Sequence, residues 1–184
     1  ELRLICDLAH DFGVQVMGHC RGAHSIKVAA ECGFDQIAHA TLMDDEALDA
    51  VVKHKIFLVP ALTFQANLME FGDAINASPA LQDIFRKEIE DIAEVLAKAF
   101  RAGVPVLTGS ESGFSITPYG DWHYRELEVF CKYLGLTPLE AIRCATKEGA
   151  LALRMKDKVG TIEAGRLADL LLIDGDPSKD VTIL

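Results

Sequence analysis

At 184 residues, half of them hydrophobic, the chain is long enough to bury one core with a small appendage, and nothing in its composition points to disorder. A net charge of -10, from 18 Lys and Arg against 28 Asp and Glu, argues against a nucleic-acid partner or an anionic membrane surface, since either needs a basic face. No apolar run reaches the length of a membrane span and no signal-peptide pattern opens the sequence, so the expected setting is cytoplasmic.

The first residue is Glu1, and a helical pattern over 2–12 is already under way with Leu2, Leu4, Ile5, Leu8 and Phe12 apolar, which reads as a start in the middle of a larger unit. Residues 14–18 are short, β-branched and without helical period, which predicts a strand ending at His19. A helix follows over 21–32, with Ile26, Ala29 and Ala30 apolar and Gly33 as its C-cap. A second strand, 36–38, delivers His39. Strand, helix and strand make a parallel βαβ unit, which brings both histidines to one edge of one sheet. Sites collect at the C-terminal ends of parallel strands, and two imidazoles there suit a divalent metal such as zinc with a position open for water. A single strand-end histidine is more often a hydrogen-bonded structural residue; equivalent placement of two on adjacent strands favours the metal.

Asp44 opens the next helix, with acidic residues in its first turn where the helix dipole favours them. Residues 56–60 form a third strand, apolar throughout as a strand buried on both faces should be. The long connection 61–78 is too apolar for a plain linker and reads as a lid, a binding loop or packed short helices. Ser78 and Pro79 start the longest helix, which runs to Gly103 with apolar residues three and four apart. A fourth strand, 104–107, leads into Thr108–Gly113, where Glu111 stands near a strand end as a further candidate for the same edge. Tyr119, Trp122, His123 and Tyr124 cluster before another helix, and Thr137 with Glu140 forms a near capping box for a last helix to about Met155. The tail changes character: Gly160 and Gly165 frame an expected hairpin, and 170–173 an expected strand. The cysteines at 6, 20, 32, 131 and 144 form no CxxC pair and read as free thiols in a reduced compartment, with Cys20 a candidate to line the site.

Taken together, GHCRGAH (18–24), DQIAHA (35–40), VPVLTGSESG (104–113) and VGTIEAGRLADLLLIDGDP (159–177) resemble the C-terminal half of a metal-dependent amidohydrolase, nearest the imidazolonepropionase-like and Xaa-Pro dipeptidase (prolidase-like) branch. The tail pattern G-x-I-x-x-G-x-x-A-D-L is the most specific piece. The resemblance implies an α/β fold in which residues 1–155 supply strands five to eight of a (β/α)8 barrel and 156–184 part of a small β-sandwich. It also implies metal ligation by His19 and His39. Glu111 would then bind the metal (zinc or another divalent ion) and shuttle the proton of the attacking water during hydrolysis of an amide or other C–N bond in a small or dipeptide-like substrate.

Two departures stand out. The family carries Asp where this chain has Glu111, and a catalytic group misplaced by about 1 Å costs on the order of 10²-fold. The family's first-strand His-x-His and bridging Lys lie outside these residues, so His19, His39 and Glu111 alone suit a mononuclear site, and the isolated chain is expected to show negligible hydrolysis. A half-barrel leaves two open sheet edges, which predicts a homo-oligomer. Further substrate contacts are expected from Arg21, His24, Tyr119 and His123; each also has a structural reading, as an ion pair, a cap or packing. His10 and His54, near helix C-termini, read as structural. The competing reading is a catalytically inactive βα scaffold whose histidines are structural. A flavodoxin-like module is a third, although no glycine-rich phosphate loop follows the first strand.

Overall fold

The computed structural model describes residues 1–120 and 124–184; the expectations placed on Trp122 and His123 lie outside the described residues. Helices and short parallel strands alternate through most of the chain: α1 (Leu2–Asp11), β1 (Met17–Gly22), α2 (Ala23–Cys32), β2 (Gln36–Leu42), α3 (Asp45–His54), β3 (Phe57–Val59), α4 (Thr63–Phe71), α5 (Pro79–Arg101), α6 (Arg125–Leu134), α7 (Pro138–Arg143) and α8 (Gly149–Ala152). The strands pair in the order β1, β2, β3, all parallel. Residues 104–107 extend this sheet through a bridge between Leu58 and Val106, with Leu58 N–H donating to Pro105 O at 3.0 Å and Leu107 N–H to Leu58 O at 2.8 Å. This is the α/β order that the periodicity predicts.

The parallel sheet is buried because helices cover it. Ile37, Leu58 and Val106 from the strands share one core with Ile26, Val51, Ile89, Ile92, Leu96 and Phe130 from the helices, all fully or nearly fully buried. Burial of each large side chain contributes roughly 1.5–3 kcal/mol, so this cluster dominates the stability. Three helices begin at the caps that the sequence offers. Asp44 accepts from Ala47 N–H at 2.7 Å and Ser78 from Leu81 N–H at 3.3 Å. Thr137 and Glu140 complete a capping box, with Thr137 N–H donating to Glu140 Oε2 at 2.8 Å and Glu140 N–H to Thr137 Oγ1 at 3.3 Å. Thr137→Ala should therefore cost about 1 kcal/mol, read as a lower urea midpoint at unchanged slope.

Four expectations need correction. The first strand begins at Met17 rather than Val14, because the backbone before it is engaged by the next turn: Val16 N–H donates to the Asp35 carboxylate at 2.7 Å, and Val16 O accepts from Asp35 and Gln36. That strand runs on to Gly22, so His19 lies inside it and α2 starts at Ala23. The connection 61–78, by contrast, takes one of its expected forms, packed short helices: α4 followed by a 3-10 turn at Gly72–Ile75, with Thr63, Gln65 and Asn67 buried. The last helix is interrupted by a π turn at Cys144–Glu148 and ends at Ala152. In the tail, 170–173 is not a strand: no ladder partner lies beside it among the described residues, and Leu171 and Leu172 stand exposed.

The five cysteines are free, as expected. Cys20 turns into the core, opposite in phase to His19, and does not line the site. His10 bonds the Asp35 carboxylate at 2.9 Å and is structural. No described helix is long and apolar enough to cross a membrane.

Candidate metal centre

His19 projects from β1 and His39 from β2, with His19 registered opposite Ala38 and Cys20 opposite His39. A one-residue offset between strands normally sends two side chains to opposite faces. The backbone resolves this: His39 and Ala40 adopt left-handed conformations, φ 69° and 53°, which re-aim the His39 ring. Non-glycine residues in this region store roughly 1–3 kcal/mol each and cluster at functional sites. Ala61 (φ 53°) after β3 and Glu111 (φ 53°) repeat the device on the neighbouring loops.

The outcome is convergence. His19 Nδ1 and His39 Nε2 are 2.9 Å apart, and His39 Nε2 is 3.2 Å from Glu111 Oε1. One ligand atom from each of the three residues falls within 4.8 Å of the others. Two imidazole nitrogens this close share one proton or direct both lone pairs at a common cation. Metal bonds of about 2.0–2.2 Å in a tetrahedral shell put neighbouring ligand atoms roughly 3.3 Å apart, so the observed spacing fits such an ion. The chemistry of the ring agrees: burial lowers the His39 pKa, against the opposing pull of Glu111, which favours the neutral, ligating imidazole. His39 Nδ1 is buried without an aligned hydrogen-bond partner among the described residues, although the nearby Pro60 carbonyl still favours a proton on the ring.

Glu111 reaches this cluster from a tightly tied loop. Thr117 Oγ1 donates to Glu111 O at 3.2 Å, Gly113 N–H to Thr117 O at 2.8 Å, and the Ser110 and Ser112 hydroxyls pair at 2.7 Å. Gly113, at φ 109°, takes a conformation that other residues rarely adopt, and the Tyr119 hydroxyl lies 2.6 Å from where a Cβ would stand. Tyr119 thus lies against the Glu111 loop while its ring stays largely exposed. The loop is also fixed to α4, where buried Asn67 donates to Ile116 O at 2.9 Å and accepts from Arg125 at 3.2 Å. Arg125 bonds Glu70 and Glu128 as well, which ties α4 to α6.

The remaining candidates separate. Arg21 is paired with Glu88 of α5 at 2.6 Å, so a substrate carboxylate would have to displace that partner. His24 is exposed on the first turn of α2, and His123 lies outside the described residues. One residue escaped the sequence reading altogether: Glu126 is fully buried in α6, and burial pushes its pKa up to about 7 against the donors around it. Its signal was available, since it falls three and four residues before Val129 and Phe130, on the face of α6 that had to be buried.

Known proteins share this arrangement of chain. The imidazolonepropionase of Streptococcus gordonii (strain Challis) is 24% identical over 179 residues, an alignment covering 95% of this chain and 37% of that protein. A solved Xaa-Pro dipeptidase with methionine bound in its active site superimposes with a TM-score of 0.83 at 29% identity, covering 100% of this chain and 44% of the other. A prolidase complexed with n-methylphosphonate-L-proline gives the same TM-score, identity and coverage. The chain therefore spans less than half the length of each of these proteins. The family model for amidohydrolases, in turn, matches residues 1–184 from end to end, and the chain belongs to the amidohydrolase family.

Proposed function

We propose that these residues form part of the metal centre of a hydrolase that cleaves an amide or related C–N bond in a small or dipeptide-like substrate. The observation that carries this reading is the convergence of His19 Nδ1 from β1, His39 Nε2 from β2 and Glu111 Oε1 from the loop after residue 107. Those three atoms would hold a divalent cation, zinc being the one that suits two imidazoles and a carboxylate, and the bound ion would lower the pKa of water and polarise the scissile carbonyl. Glu111 accepts the proton of the attacking water and returns it to the leaving nitrogen. Burial favours the neutral form of His39, and its strained backbone fixes the ring. Tyr119 offers an exposed ring beside the Glu111 loop for substrate contact, and Arg21 a guanidinium at the same edge.

In this reading residues 1–155 are strands five to eight of a (β/α)8 barrel and 156–184 part of a small β-sandwich. The likeness to chains more than twice as long supports it. So do the apolar side chains left in solvent, Leu4, Ile5 and Leu8 on α1, Phe12 just past its end, and Leu171 and Leu172 in the tail, which suit contact with further protein, either more of the same barrel or a second copy. A cytoplasmic setting accords with five free thiols.

Metal analysis and assay test the proposal together. After incubation with zinc and gel filtration, about one equivalent per chain is expected, and hydrolysis of Xaa-Pro dipeptides or N-acyl amino acids should need residues beyond these 184 as well as the metal. A chain that retains no zinc overturns the metal centre. Robust zinc-dependent turnover by the 184 residues alone overturns the shared site.

A further inference from the structure

Behind the ligands lies a buried carboxylate that the chemistry above does not use. We infer that Glu126 is a positioning residue for the metal centre, clamping the turn after β3 to the loop that carries Glu111 and so fixing the spacing of His39 and Glu111. Glu126 Oε1 accepts from Leu62 N–H at 2.9 Å, and Oε2 accepts from Thr63 N–H at 2.7 Å and from the Thr63 hydroxyl at 2.6 Å. The Gly109 backbone lies close enough to the same carboxylate to lower its pKa. One side chain, itself fully buried, therefore gathers both segments.

Each segment touches a ligand. Pro60, in the first, faces the His39 ring, and Gly109, in the second, precedes Glu111 by two residues. The two are also packed without slack: a Cβ on Gly109 would lie 3.0 Å from both Ala61 Cβ and Val59 Cγ1. Ala61, between them, holds one of the strained left-handed conformations. Strain persists only where the surroundings over-determine the backbone, and the three bonds to Glu126 with the close packing of Gly109 do that here. The first turn of α4 has no cap of its own, so its free N–H groups are supplied by Glu126 from α6. All three bonded groups are donors, and they use both carboxylate oxygens; glutamine would turn an N–H against at least one of them.

The inference rests on the metal reading, and its test separates the two. Zinc affinity and the visible spectrum of the cobalt-substituted protein are measured for wild type, Glu126→Gln and Thr63→Val, with folding followed by circular dichroism. Partners that orient metal ligands typically carry 10–100-fold in affinity. Glu126→Gln should fold, bind zinc at least tenfold more weakly and show an altered cobalt spectrum; Thr63→Val, which removes one bond of the clamp, should shift both in the same direction by less. If Glu126→Gln does not fold, Thr63→Val decides by the same criterion. A melting temperature that falls while zinc affinity stays within twofold and the cobalt spectrum is unchanged makes Glu126 a helix cap only and overturns the inference. If wild type binds no zinc, both readings fall.

Discussion

Zinc affinity is expected to fall about a hundredfold when His39 is replaced by alanine. The magnitude follows from sharing: protein zinc sites gain about 10–16 kcal/mol from four ligands, so one ligand carries roughly 3 kcal/mol, or about 10² in affinity. His39 is the hub of the cluster, 2.9 Å from His19 and 3.2 Å from Glu111, and its removal leaves those two without a common neighbour. Because His39 is largely buried on strained backbone, its loss also disturbs the fold. His19→Ala is the cleaner companion: His19 is exposed, so its truncation opens no core cavity and stability should hold within about 0.5 kcal/mol in the absence of metal. Competition against a chromogenic chelator reads both affinities. Equal affinity in wild type and both variants would place any bound zinc elsewhere.

The parts of this site that were legible in the sequence are those encoded by hydrophobic pattern. Ile37 and Ala38 announce a buried strand, and His39 interrupts it, so a polar residue at a strand end could be found by inspection. Glu111 was found the same way, by following an apolar run to its end. What the pattern does not encode is the backbone that aims them. His39, Ala40, Ala61 and Glu111 all take φ near 50–70°, and none is glycine or asparagine, the residues that signal such a conformation. Their geometry is imposed by tertiary contacts, among them the bonds to Glu126 from a helix more than sixty residues away. The too-early start expected for the first strand has a similar origin. Val14 and Val16 have strand-forming side chains, but the Asp35 carboxylate takes the Val16 N–H. Conversely, the apolar run 170–173 has the sequence of a strand and no neighbour to pair with, which no local pattern reveals.

In a longer protein that carries the whole site, Glu111→Gln should leave zinc bound and lower turnover by about 10²–10⁴-fold, the usual worth of a positioned proton-transfer group. The amide keeps the size of the carboxylate and one oxygen able to face a cation, while it loses the ability to accept the proton of water. The informative contrast is Glu111→Asp, since the family pattern carries the shorter acid at this point. Two effects then oppose each other. Aspartate tolerates the left-handed backbone at position 111 better than glutamate does, so strain at φ 53° is relieved and stability should rise slightly. The carboxylate, however, withdraws by one methylene from a contact already at 3.2 Å to His39 Nε2. The loop cannot follow freely, because Thr117 holds the Glu111 carbonyl, Asn67 holds Ile116, and Gly109 packs tightly on Val59 and Ala61. A displacement of about 1 Å costs on the order of 10²-fold, far more than the relieved strain returns to the reaction. Glu111→Asp is therefore expected to be more stable to heat and about a hundredfold slower, with zinc affinity reduced less than in His39→Ala. Turnover equal to wild type in Glu111→Asp would mean that the loop does adjust, and that the longer side chain at 111 is an accident of this chain rather than a fitted part of its site.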